Sequence, residues 1–104
     1  MSRVIYAVFP DAKMAEKIAR GAVESRLAAC ANIFPSHLSI YRWNDSIESA
    51  QEVAVIFKTV DEKSKALFEY IQNNHSYENP AILEFSITNS TAAFSSWLSN
   101  SCHP

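Results

Sequence analysis

A chain of 104 residues with 48% hydrophobic content is long enough for one compact core and too short for two ordinary domains. Its formal net charge of −2 speaks against a surface built to neutralise a phosphate backbone, so nucleic acid is not an expected partner. A single glycine leaves no glycine-rich phosphate loop and no flexible linker, and two cysteines are too few for a disulfide framework. The apolar run near the N-terminus is too short for a secretory signal, and nothing reaches membrane-spanning length. The expected setting is the cytoplasm, away from membranes and with both thiols reduced.

In chain order, residues 4–9 form a short β-branched and aromatic run that reads as a buried strand ended by Pro10. Asp11 caps a helix whose apolar residues Met14, Ala15, Ile18, Ala19, Ala22 and Val23 recur at helical spacing. Gly21 lies inside it, at a cost of about 1 kcal/mol relative to alanine, either because a close contact requires it or because the exposed face tolerates it. Residues 28–34 return as a strand, and residues 39–43 continue extended to a polar turn at Asn44-Asp45-Ser46. From Glu48 to Thr59 the chain runs back as a long strand, closing a hairpin. The next helix starts at Asp61 or at Thr59, the latter with Glu62 as a capping box, and carries Leu67, Phe68 and Ile71 inward. A loop, His75-Ser76-Tyr77-Glu78-Asn79-Pro80, leads to a strand over residues 81–87. Ser90 or Thr91 then caps a last short helix with Phe94, Trp97 and Leu98 on one face.

Strand, helix, strand, strand, helix, strand is the order of an α+β, ferredoxin-like split βαβ sandwich, here with an extra C-terminal helix. Its helices cover one face of the sheet. In residues 4–9 and 53–57 both faces are apolar, so something must also cover the second face, and self-association is the simplest candidate.

Many functions share this fold, so function has to be argued from sites. The third strand lacks the glycine of an RNA-recognition module, and the first loop lacks the paired cysteines of a heavy-metal chaperone. No nucleophile elbow is present, and Glu48 and Glu52, on one face of a strand, read as a solvated edge as readily as an acid–base pair, so no catalytic activity is expected. The loop at residues 75–80 concentrates more chemistry than any other segment. His75 and Glu78 offer nitrogen and oxygen to a divalent cation such as copper(II) or zinc, and Cys30 adds a soft ligand if the fold brings it near. His37 reads as a surface loop residue, and Cys102-His103 as a frayed tail. A second constellation is basic and aromatic: Lys58, Arg42 between Tyr41 and Trp43, and Tyr77, with Glu52 nearby, suit a small anion.

The segments Glu24-Ser25-Arg26-Leu27-Ala28-Ala29-Cys30-Ala31-Asn32-Ile33, Ser39-Ile40-Tyr41-Arg42-Trp43, Glu52 with Phe57-Lys58-Thr59, the loop at residues 75–80, and Trp97 together resemble the CutA divalent cation tolerance family over nearly the whole chain, residues 1–104 as one domain. The resemblance implies a ferredoxin-like subunit in a tight homotrimer of PII-like architecture, with clefts between subunits. It also implies a role in tolerance of copper and other divalent metals, without an organic cofactor. Cys30, His75, Tyr77 and Lys58 occupy family positions. Two departures stand out: Asn44-Asp45 replaces a glycine-containing hairpin tip, and Ser76 replaces a proline. The alternative function is that of a PII-like sensor or scaffold whose clefts hold a small anion or a segment of a protein partner.

Overall fold

The computed structural model describes residues 2–103. Strand β1 (Ser2–Phe9) leads into helix α1 (Ala12–Glu24), then β2 (Cys30–Ile33), β3 (His37–Trp43) and the long β4 (Ser46–Val60). Helix α2 (Asp61–Asn74), β5 (Ile82–Ser86) and α3 (Ala92–Cys102) complete the order. β1 pairs antiparallel with β4 on one side and β5 on the other, and β2 and β3 both lie along β4. This is the ferredoxin-like topology that the order of elements foretold, with the additional helix.

Alternation explains which face is covered. Ile5, Ala7 and Phe9 on β1 and Val53, Val55 and Phe57 on β4 point to the helices, where they meet Ala15, Ile18, Ala19 and Ala22 of α1 and Leu67 and Ile71 of α2. Phe9 and Phe57 pack edge to face at 6.5 Å, a geometry worth about 0.5–1.5 kcal/mol beyond the area it buries. The opposite face carries Val4, Tyr6, Ala54, Ile56, Lys58, Leu83 and Phe85, with Leu83 52% and Phe85 53% exposed. Its end at β4's C-terminus is closed by α3, which packs Leu98 and Cys102 against Ala29 and Val60, and at the other end Val8 and Ala54 are also buried.

The hairpin of β3 with the first half of β4 projects from this body, and the whole is elongated, 46 × 25 × 23 Å. Its tip is a two-residue loop with Asn44 and Asp45 both at positive φ, the turn whose twist matches a hairpin. The substitution for glycine is therefore accommodated. Leu38, Ile40, Trp43 and Ile47 stand exposed along this arm.

Several local expectations are corrected. Thr59 does not cap α2: it is buried at the end of β4, and its hydroxyl donates to Leu27 O at 2.7 Å, so Val60 takes the N-cap position without a side-chain bond. The return strand begins at Ser46, before Glu48, because the two-residue turn lets pairing start at once. His37 opens β3 instead of lying in a loop, its Nε2 3.0 Å from Ser39 Oγ. The C-terminal residues are anchored: Cys102 is buried, and His103 Nδ1 donates to Ser99 O at 2.7 Å. For α1 the Asp11 cap is in place, accepting from Met14 N at 2.8 Å, and for α3 Thr91, not Ser90, is the cap. Gly21 is explained by close contact, since the Tyr70 hydroxyl fills the space a Cβ would need.

Candidate functional site

The His75 loop is held by the imidazole itself. The ring closes the end of α2, stacks on Phe9 at 4.8 Å, and sets Nε2 2.6 Å from Val8 O. A carbonyl only accepts, so Nε2 carries the proton and donates. Nδ1 then holds the lone pair, and it accepts the Tyr77 N–H at 3.0 Å. Both ring nitrogens are thus committed to backbone, which fixes the loop even with Ser76 in place of proline.

The pinned loop aims Tyr77. Its hydroxyl donates to Glu52 Oε2 at 2.7 Å, and its ring lies 4.9 Å from that of His75. Burial, and then the hydrogen bond and charge of Glu52, push the phenol up to about 12, so it stays a donor throughout the neutral range. Phe9, His75, Tyr77 and Glu52 form one connected cluster at the junction of β1, α2 and mid-β4. Glu78, beside it, is exposed.

A second cluster lies toward the other end of the sheet. Lys58 sits on the open face, paired with Val4 and Cys30 on its two neighbouring strands. Its ammonium rests 5.6 Å from the centroid of Phe94, which in turn lies 5.6 Å from the Trp97 ring. Burial pushes the Cys30 thiol up, and the Lys58 charge only partly offsets that, so Cys30 is a neutral thiol at neutral pH.

The candidate residues therefore do not converge within one chain. Cys30 is level with Val4, whereas His75 bonds Val8, about 13 Å farther along β1 at roughly 3.3 Å per residue. Trp43 and Arg42 oppose Ser46 and Ile47 at the tip of the arm, Glu52 is mid-strand, and Lys58 is near the other end; from Ser46 to Lys58 is about 40 Å of strand. Among the described residues no group of three or more His, Cys, Asp or Glu side chains is placed to hold a metal. Sequence reasoning missed the Phe94–Trp97 wall over Lys58. Their helical spacing puts them on one face, but spacing alone does not say that this face meets Lys58.

Such a fold, with a polar cluster at the sheet's middle and an exposed apolar arm, defines an α+β, ferredoxin-like protein. The family model for the CutA1 divalent ion tolerance protein matches residues 3–101, and the chain belongs to that family. A "Divalent-cation tolerance protein CutA" from Thermotoga maritima is 39% identical over 98 residues, covering 94% of this chain and 96% of the relative. An Arabidopsis thaliana relative, "Protein CutA, chloroplastic", is 34% identical over 100 residues, covering 96% of this chain and 55% of the relative's length. The solved structure described as the periplasmic divalent cation tolerance protein CutA from Archaeoglobus fulgidus superposes with a TM-score of 0.94 at 35% identity, covering 99% and 100% of the two chains. Relatives are thus named for two different compartments. Among the described residues no helix is long and apolar enough to cross a membrane.

Proposed function

We propose that this chain acts as a non-catalytic, homotrimeric divalent-metal tolerance protein of the cytoplasm that holds a divalent cation, copper(II) foremost, at or near the clefts between subunits. Membership of a family named for divalent cation tolerance supports the metal. The single observation that supports the inter-subunit placement is the separation of Cys30 from His75 by about 13 Å along the sheet, which leaves any joint site dependent on another copy. His75, Glu78 and Cys30 remain the proposed ligands. Within one subunit they do not suit a cation as they stand, because Nδ1 of His75 already accepts the Tyr77 N–H and Cys30 lies far along the sheet.

The test is a copper(II) titration followed through the Tyr77 amide resonance. Binding at Nδ1 must break the Tyr77 N–H bond, so that resonance should shift with metal. His75→Gln should remove it while the protein stays folded. Copper binding with an undisturbed Tyr77 amide rules out His75. The second reading, a PII-like sensor or scaffold binding a small anion or partner segment, is favoured by the placement of Lys58 among aromatic side chains.

A further inference from the structure

Lys58 sits in a row with Phe85, Val4 and Cys30 across the open face of the sheet, and every neighbour in that row is apolar or a neutral thiol. Among the described residues no carboxylate comes within 4.0 Å of its ammonium, although Arg3, Arg20 and His103 each have one within that distance. A copy laid over this face would strip water from the ammonium, which is costly unless the covering surface brings a carboxylate. The arm has one to offer, because its two faces differ in charge. Register puts Tyr41 opposite Glu48 and Trp43 opposite Ser46 on one face, and Ile40 opposite Ser49 and Arg42 opposite Ile47 on the other. Glu48 is exposed, and among the described residues no cation comes within 4.0 Å of it. Glu52, farther along the same face, already accepts from the Tyr77 hydroxyl.

Resting on the homotrimer reading, we infer that the Tyr41–Glu48 face of one copy's arm docks on the open face of the next copy, where its Glu48 carboxylate accepts a charge-assisted hydrogen bond from the Lys58 ammonium. Tyr41 and Trp43 bring aromatic surface to Leu83 and Phe85, all four of them exposed in the single chain. The opposite arm face is apolar too, but it carries Arg42 and would set like charge against Lys58. Charge therefore selects which side of the arm turns inward. Glu48 and Lys58 stand about 33 Å apart along β4 at roughly 3.3 Å per residue, so one chain cannot satisfy its own pair. Each copy gives an arm and receives one on a different surface, and such head-to-tail contacts close into a ring instead of a two-fold pair.

The test is charge reversal, read by light scattering over a dilution series of the full-length protein. Lys58→Glu and Glu48→Lys should each raise the concentration at which the assembly half-dissociates by at least tenfold. Combined in one chain, the two should bring it back to within about threefold of wild type, since the swapped charges meet again at every contact of the ring. Arg42→Glu should change it by less than about threefold. A double variant no better than the worse single one overturns the inference, as does wild-type assembly of either single variant or an Arg42→Glu effect as large as theirs. Where circular dichroism shows a reversed variant unfolded, the wild-type protein decides. Carbodiimide coupling of a mixture of isotope-labelled and unlabelled chains should join Lys58 to Glu48 in peptides of mixed label; no such link, or a link from Lys58 to another carboxylate instead, overturns the pairing. A monomeric wild type would remove the homotrimer reading as well, whereas an intact trimer without coupling between the two positions overturns this contact alone.

Discussion

The two faces of the sheet have nearly the same composition and opposite fates. Beneath the helices Ile5, Ala7, Phe9, Val53, Val55 and Phe57 are closed off, whereas on the other face Leu83 and Phe85, and on the arm Ile40, Trp43 and Ile47, stand open. The first face is explained by the chain alone. The second is, on the trimer proposal, surface for further copies, since a small protein with that much open apolar surface invites aggregation.

The comparison can be broken most sharply by charge. Val55→Asp, on the helix side at 0% exposure, should unfold the subunit, with a loss above about 4 kcal/mol from burying an unpaired carboxylate. Leu83→Asp, on the open side, should leave the circular dichroism of a folded subunit while reducing the mass. Identical behaviour of the two variants would dissolve the distinction. The next effect lies where the faces meet at the end of β1: His75→Ala removes the bond to Val8 O and the stack on Phe9, and should cost about 2–3 kcal/mol in chemical denaturation.

A smaller effect follows from the phenol. Its raised value means the folded state keeps the Tyr77 proton after the unfolded chain, titrating near 10, has released it. The stabilisation is complete below pH ~10 and is lost as pH rises from there to about 12. Tyr77→Phe should flatten that part of the stability profile and remove the latest phenolate from the ultraviolet titration. An unchanged profile would mean that the Glu52 bond does not persist in solution. The smallest change is Gly21→Ala, which should destabilise slightly despite better helix propensity, because of the Tyr70 hydroxyl. In a Tyr70→Phe background much of the penalty should vanish.

What could be read from the sequence divides along the same line. Strands and helices followed from alternation and helical spacing, and Asp11, Thr91 and the Asn44-Asp45 turn from local backbone chemistry that needs no tertiary knowledge. Thr59 misled because a cap and a buried hydroxyl share one residue type, and only the packing of Leu27 beneath β4 separates them. The site was harder still. Residue types at 75–78 announced chemistry, but that both His75 nitrogens bind backbone depends on where β1 ends. That Cys30 lies beside Lys58 and far from His75 depends on strand register, which spacing does not encode.

The central claim is that the open face and the arm are covered by copies of this chain. Light scattering on the purified protein at micromolar concentration tests it directly. The account predicts a mass about three times the 11.6 kDa of one chain, independent of dilution across that range. A stable, soluble 11.6 kDa monomer would contradict it.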